Sequence, residues 1–324
     1  MIRVAVDAMG GDRAPDEVVA GALEARSSSI EPILCGPTSL DTGGLELVEA
    51  PDVISMDEKP AEAVRAKPNS SLVAACRAVA EGRADAVVSA GNTGAMLAAS
   101  FLELRRLPGV ARPAIAVPLP ARRGPSVLID AGANADARPE HLLQFGHMGA
   151  IFAEEILGIP NPDVKLLSIG EEPEKGNQLT LEAHALLADS ALNFRGNAEA
   201  RDILKGAADV VVTDGFTGNV ALKLIEGTIR ELLDALRTQI GSTTRGKLGG
   251  LLIRPAARAL RTELDPDTYG GAYLLGLRGL VVIAHGNSSS TAIANAIRLA
   301  GRGVENDVVG RLSERLPQRR KANV

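Results

Sequence analysis

The sequence predicts an α/β protein built on a mostly parallel sheet with helices on both faces. Three observations carry that prediction. Short aliphatic runs alternate with longer helical patterns along the chain, the order that strand–helix–strand crossovers impose. Several of the runs are apolar throughout rather than alternating, which suits strands buried on both faces. The runs also pass into small polar turns rich in glycine, which makes up 34 of 324 residues, about 10% against a usual 7%.

The elements follow in order. A strand at 2–6 enters Asp7-Ala8-Met9-Gly10-Gly11-Asp12 and then a helical pattern at 16–26. A strand at 32–35 precedes a helix at 72–81, and a strand at 86–89 enters Gly91-Asn92-Thr93-Gly94 and a helix at 95–104. Strands at 114–117 and 127–130 lead to Ala131-Gly132-Ala133-Asn134 and a helix at 141–157. A strand at 165–169 precedes Gly170-Glu171-Glu172 and a helix at 180–187. A strand at 210–213 enters Asp214-Gly215-Phe216-Thr217-Gly218-Asn219 and a helix at 220–236. The last strand, at 280–284, enters His285-Gly286-Asn287-Ser288 before a helix at 291–299. No linker or internal repeat divides the chain, so 1–316 reads as one domain, and any two lobes share one sheet. Residues 317–324 (PQRRKANV) read as a frayed, flexible basic tail.

Composition narrows the function. The net charge is −5 and aromatic residues are 2% with no Trp, which disfavours nucleic acid as the main ligand. Two cysteines, Cys35 and Cys76, stand in no metal-type spacing and fit a reducing cytoplasm. The N-terminus lacks the basic start and apolar core of a signal peptide, and no apolar run reaches membrane-spanning length. No G-x-G-x-x-G, G-x-S-x-G, H-E-x-x-H or C-x-x-C occurs. The stretch Gly241-Ser242-Thr243-Thr244-Arg245-Gly246-Lys247 imitates a P-loop, but Leu248 replaces the required hydroxyl residue and no strand precedes it. Neither a metal nor a nucleotide cofactor is expected.

In parallel sheets ligands bind outside the carboxyl ends of the strands. Six polar turns on one rim therefore predict a large polar site. Gly91-Asn92-Thr93-Gly94 and Thr217-Gly218-Asn219 each precede a helix, whose unpaired N–H groups and dipole accept anions. The expected ligand is phosphate or a phosphorylated compound. Plain helix capping by Thr93 and Thr217 explains the same residues and stays open. The candidate binding residues are Asp7, Gly10, Gly11, Asn92, Thr93, Gly94, Asn134, Thr217 and Gly218, with Arg65 and Lys67 as a cationic pair before a capped helix. Lys175, after a strand end, is either a phosphate-binding point charge or a solvated lysine. His285, at a strand end, is a better functional candidate than His141 or His147, which sit in a helical pattern. The cysteines lie outside the polar turns, so thiol catalysis is not expected.

The stretch 242–262 stands apart. It holds Arg245, Lys247, Arg254, Arg258 and Arg261 and no acid. At about 100° per residue, Lys247, Arg254, Arg258 and Arg261 share one helix face, with Leu248, Leu252, Ala256, Ala259 and Leu260 broadly opposite. Pro255 kinks that helix or starts a second one. A basic amphipathic helix suits a membrane surface or an acidic partner; a subunit interface with a solvated basic face fits equally.

Taken in order, Val6-Asp7-Ala8-Met9-Gly10-Gly11-Asp12, Ser89-Ala90-Gly91-Asn92-Thr93-Gly94-Ala95, Asp130-Ala131-Gly132-Ala133-Asn134, Ile169-Gly170-Glu171-Glu172, Lys175-Gly176, Thr213-Asp214-Gly215-Phe216-Thr217-Gly218-Asn219, Tyr269-Gly270-Gly271-Ala272 and His285-Gly286 form an ordered set. The set resembles the bacterial phosphate acyltransferases, acyl-ACP:phosphate acyltransferases of the PlsX family, over about residues 2–315. Leu72 stands where the family often has Met. The resemblance implies a Rossmann-like three-layer α/β/α fold related to phosphotransacetylases and isopropylmalate-type dehydrogenases. It implies transfer of a fatty acyl group from acyl-ACP to inorganic phosphate, a homodimer, and supply of a membrane glycerol-3-phosphate acyltransferase in phospholipid synthesis. It places the protein in the cytoplasm, with peripheral contact at the inner face of the plasma membrane.

On this reading phosphate binds among the helix N-termini and Lys175 and attacks the thioester directly. Asn219 and nearby N–H groups receive the oxyanion. The leaving thiolate needs little acid help, and His285 is the candidate to give it. Asp7, Asp130 and Asp214 order the turns. Lys247, Arg254, Arg258 and Arg261 meet ACP or anionic lipid. Three alternatives stay open: an acyl-CoA enzyme of phosphotransacetylase type, a dehydrogenase of the related fold, and a non-enzymatic ACP- or lipid-binding scaffold.

Overall fold

The computed structural model describes residues 1–264 and 270–317. Its strands are β1 (Ile2–Asp7), β2 (Ile30–Gly36), β3 (Glu46–Glu49), β4 (Ala86–Ser89), β5 (Ala114–Leu119), β6 (Ser126–Ile129), β7 (Val164–Ser168), β8 (Phe194–Glu199), β9 (Val210–Val212), β10 (Ala272–Leu275) and β11 (Leu280–Ile283). The helices are α1 (Asp16–Ala25), α2 (Pro60–Ala66), α3 (Ser71–Ala80), α4 (Thr93–Glu103), α5 (Pro139–Leu157), α6 (Gln178–Ala188), α7 (Gly215–Gly241), α8 (Thr244–Leu264), α9 (Ser290–Glu305) and α10 (Val308–Arg315). Every strand and helix expected from the sequence forms. The strands it missed include β3 and β8, the two edges of the sheet, whose half-exposed sequences ELVE and FRGNAE carry no apolar run.

Among the described residues one 11-stranded sheet, ordered β3-β2-β1-β4-β11-β10-β5-β6-β9-β7-β8, contains every strand. Residue alternation sends Val4, Val6, Val88, Ala116, Ile129 and Val282 to the face covered by α1, α5, α9 and α10. It sends Ala5, Val87, Ile115, Leu128, Val211 and Ile283 to the face covered by α3, α4 and the start of α7. The sheet is mostly parallel with helices on both faces, as expected.

Strand direction corrects one expectation. The block β3-β2-β1-β4-β11 is parallel throughout, and so is the block β6-β9-β7-β8. Between them β10 runs antiparallel to both β11 and β5, and β5 antiparallel to β6. Three reversals make the blocks run in opposite directions, so the six polar turns do not share one rim. The turns after β1, β4 and β11 form one rim, and those after β6, β7 and β9 the other. The register brings the rims together. Val282 pairs with Tyr273, Tyr273 with Ala116, and Ala116 with Ile129. The carboxyl ends of β11 and β6 thus stop at nearly the same level, facing opposite ways.

Helix α7 begins earlier than its periodicity indicates, because Asp214 caps it: Thr217 N donates to Asp214 Oδ1 at 2.9 Å. Asn92, not Thr93, caps α4, accepting from Ala95 N at 3.0 Å. Thr217, Gly218 and Asn219 therefore lie inside α7, and neither threonine is a cap. At 27 residues α7 is about 40 Å long, yet beyond Leu222 none of its residues is fully buried, and Ile225 packs half-buried against the core. Helix α8 packs back along α7 and runs through Pro255 as one helix. Gly241 ends α7 and Thr244 opens α8, so the P-loop-like stretch is a helix end, a turn at Ser242 and Thr243, and the first turn of the next helix. The side chain of Arg261, Tyr269 and tail residues 318–324 lie outside the described residues.

Cys35 and Cys76 are fully buried, and burial pushes both thiols up to about 12. Both should resist iodoacetamide at pH 8 in the folded protein and react once it is unfolded in denaturant. Mass spectrometry of the alkylated chain checks this; rapid labelling of the native protein would contradict the packing.

Candidate active site

The middle of one sheet face, over β5 and β10, is left open between α4 and α7. This opening is a cleft of about 260 Å³. Its floor is apolar: Ile115 and Val117 of β5, Ala272 of β10 and Ile283 of β11. Gly91 and Thr93 stand on one wall with His285 and Gly286. Asn219, Leu222 and Lys223 of α7 stand on the other, beside Ala131. Both rims thus contribute to one site, through the turns after β4 and β11 and those after β6 and β9.

The buried acids build the turns. Asp130 is fully buried and accepts from the N–H groups of Ile115, Gly132, Ala133 and Asn134 and from Asn134 Nδ2, at 2.8–3.2 Å. Burial raises its carboxyl above the usual range, and these donors oppose the rise. Asn134 is spent on this cradle, donating also to Pro113 O at 2.8 Å. Helix α7 starts directly against it: Gly215 N donates to Asn134 O at 2.8 Å. A Cβ on Gly218 would lie 1.9 Å from Asp130 O, so only glycine fits there. Asp7 lies at the end of β1, and Ser89 Oγ donates to its Oδ2 at 2.7 Å. Gly10 and Gly11 pack behind the rim rather than into the cleft. Gly11, at φ 109°, abuts Gly286 O, to which Asp12 N donates at 2.7 Å.

The expected binding residues therefore separate. Thr93, Asn219 and His285 line the cleft. The backbone N–H groups of Thr93 and Gly94 have no acceptor among the described residues, and neither has the side-chain amide of Asn219. Asn92 instead anchors a loop, donating from Nδ2 to Met56 O at 2.9 Å and holding Met56 against the cleft. Lys67 holds the same loop, donating to Glu58 Oε1 at 2.6 Å and Val53 O at 2.7 Å. Arg65 is exposed on α2, and Thr217 is exposed on the first turn of α7. Lys175 is exposed on the β7–α6 turn, across β9 from β6, and does not line the cleft.

Two functional candidates escaped the sequence. Lys223 is a cation lining the cleft, and Glu226 pairs with it at 3.0 Å. A Lys-x-x-Glu pair on a helix reads as an ordinary surface pair, so no local signal marks it. Glu226 also reaches His285, 3.4 Å from its Nε2. Among the described residues no cluster of three or more His, Cys, Asp or Glu could hold a metal ion.

A family model described as fatty acid synthesis protein matches residues 2–311. A phosphate acyltransferase of Heliobacterium modesticaldum is 48% identical over 328 residues, covering 98% of both chains. Another, of Desulfitobacterium hafniense, is 49% identical over 329 residues with the same coverage. The chain belongs to the phosphate acyltransferase family. It is an acyltransferase of the fatty acid synthesis group. Among solved structures, the EutD phosphotransacetylase of Staphylococcus aureus shares the fold, with a TM-score of 0.61 and 16% identity over 94% of both chains. A phosphotransacetylase of Streptococcus pyogenes has a TM-score of 0.63 and 16% identity over 94% of both chains. A 4-hydroxythreonine-4-phosphate dehydrogenase of Klebsiella pneumoniae has a TM-score of 0.50 and 15% identity, over 93% of this chain and 98% of that one. The fold of this phosphate acyltransferase agrees with the expected likeness in fold to phosphotransacetylases and dehydrogenases.

Burial raises the Asp7 carboxyl above its ordinary 3.8, against hydrogen bonds from Ser71, Ser89 and Met9. The folded state then holds a proton that the unfolded chain has released, so this contribution to stability is full below about pH 4 and is lost as pH rises toward the folded value. Asp7→Asn removes that dependence. The melting temperature of the wild type relative to the variant should fall as pH rises from 4; a constant difference would show that Asp7 ionises normally in the fold.

Proposed function

We propose that this acyltransferase moves a fatty acyl group from acyl-ACP to inorganic phosphate, releasing acyl-phosphate and free ACP. The observation that carries the proposal is the cleft itself. An apolar floor suited to the start of an acyl chain lies between polar walls: one carries the unpaired first N–H groups of α4, the other the unpaired Asn219 amide and the ammonium of Lys223, which Glu226 holds. The walls suit an anion, and floor and walls together bring an acyl thioester and phosphate into contact. Phosphate attacks the carbonyl directly, and Asn219 donates to the oxyanion. Lys175, on the same rim as Asn219 but outside the cleft, supplies a further cation that draws phosphate toward it.

The α7–α8 pair supports the rest of the reading. Leu224 is 68% and Leu252 79% exposed, and Lys247, Arg254 and Arg258 are exposed on α8. No core covers these residues. Their mixture of apolar and basic groups fits contact with acidic ACP or an anionic membrane surface, and the apolar residues fit packing against a second subunit. No helix among the described residues is long and apolar enough to cross a membrane. We place the enzyme as a homodimer in the cytoplasm, at the inner face of the plasma membrane. There a glycerol-3-phosphate acyltransferase consumes its product for phospholipid synthesis.

The deciding experiment is thiol release from palmitoyl-ACP with and without phosphate, with hydroxylamine to trap acyl-phosphate. Phosphate-dependent release and a trapped hydroxamate are expected; bound acyl-ACP without release would make the protein a scaffold. Asn219→Ala should lower kcat by about 10²–10³-fold, and Lys175→Ala should raise the phosphate KM. Unchanged phosphate kinetics in the second variant would remove Lys175 from the site. Reversing Arg254 and Arg258 to Glu should weaken binding to ACP or to anionic liposomes, read by sedimentation; unchanged binding to both would leave α8 a structural helix.

A further inference from the structure

Glu226 occupies an unusual position for a helix carboxylate. Its side chain is only 10% exposed, although most of α7 stands in solvent. Oε2 accepts from Lys223 Nζ at 3.0 Å. Oε1 is buried without a hydrogen-bond partner and lies 3.4 Å from Nε2 of His285. His285 follows β11, so a buried carboxylate from one parallel block reaches across the cleft to a histidine of the other. Both His285 and Lys223 line the cleft.

A carboxylate beside one imidazole nitrogen keeps a proton on that nitrogen and leaves the other for chemistry. We propose that Glu226 is a positioning residue that fixes His285 with a proton on Nε2, so that Nδ1 carries a proton from the attacking phosphate to the departing sulfur. This rests on the phosphate acyl-transfer reading above. A thiol's pKa alone suggests that the thiolate leaves with little help, but its competition with phosphate in the intermediate asks for such a carrier. Addition of hydrogen phosphate to a thioester gives a tetrahedral intermediate that can expel either group. Phosphate is the weaker base, with a phosphate monoester's second pKa of about 6 against about 8.5 for a thiol. Unassisted, the intermediate returns to substrates. A proton placed on sulfur turns it forward.

The step balances. The phosphate oxygen forms a bond to the carbonyl carbon, and its proton passes to Nδ1. The C–S electron pair goes to sulfur, which takes the proton from Nδ1 and leaves as a thiol. Hydrogen phosphate dianion and thioester become acyl-phosphate dianion and thiol, with no proton or electron left over. Glu226 offsets the imidazolium charge while the proton is in transit, and Lys223 holds the carboxylate in place.

The test compares two donors in the full-length enzyme: an acyl thioester of an alkyl thiol, such as acyl-ACP, and one of an aryl thiol, whose thiolate leaves without a proton. Glu226→Gln keeps the shape and removes the charge. It should lower kcat with the alkyl donor by about 10²-fold, at the low end for proton-transfer catalysis. The phosphate KM should stay unchanged, and the loss with the aryl donor should be under about threefold. In a His285→Gln background, Glu226→Gln should cost nothing further. Equal losses for both donors, full kcat, or additive losses would each overturn the proposal. If Glu226→Gln does not fold, His285→Gln alone carries the same test: an alkyl-donor loss spared with the aryl donor supports the relay, and equal losses sink it. A wild-type enzyme without phosphate-dependent release from either donor overturns the functional reading and the relay with it. Normal wild-type release with donor-independent loss in the variants overturns the relay alone.

Discussion

The cleft exists because β5 takes antiparallel neighbours on both edges. Residues 114–116 pair with β10, and residues 116–119 with β6. In a fully parallel sheet every helix N-terminus would sit on one rim and point away from the body. Here the reversals around β5 turn the second block over, so the carboxyl ends of β11 and β6 meet near the row of Val282, Tyr273, Ala116 and Ile129. The starts of α4 and α7 then face each other across a strip of sheet that neither covers.

The acids near the cleft serve this joint first. A buried carboxylate without donors is costly, and Asp130 meets that cost with five N–H groups drawn from β5 and its own turn. Through Asn134 O and the bare Cα of Gly218, the same turn seats the first residues of α7. Asp214 is spent on capping that helix. With these carboxylates committed to structure, the groups left facing the cleft are N–H donors, an amide, a lysine and a histidine, a set suited to holding an anion and a developing oxyanion.

The α7–α8 pair shows the opposite economy. Its inner end is locked into the joint, while the remainder leaves leucines and arginines in solvent together. Such a surface carries no fold-building role within the chain. The first turns of α7 nevertheless carry Asn219, Lys223 and Glu226 to the cleft, so any partner that settles on the outer part of α7 is mechanically joined to the residues of the site.

The strands with continuous apolar runs, the helices with clear periodicity and the order of the glycine-rich turns are all legible in the sequence, because each follows from local spacing. So is the structural role of Asp130 and Asp214, since short acids at strand ends order turns. The family, too, is written in those ordered turns. Strand direction is not, because the alternation of side chains is the same in a parallel and an antiparallel neighbour. That single unknown misplaced the rims. Asn92, Asn134 and Lys67 look like binding residues in sequence and turn out to hold loops, because a polar side chain's partner is set by packing. Lys223 and Glu226 look like surface charges and stand at the cleft for the same reason. The chain's local pattern determined which elements form; which side chains share a site was decided only when the reversals at β5 brought two distant rims to one opening.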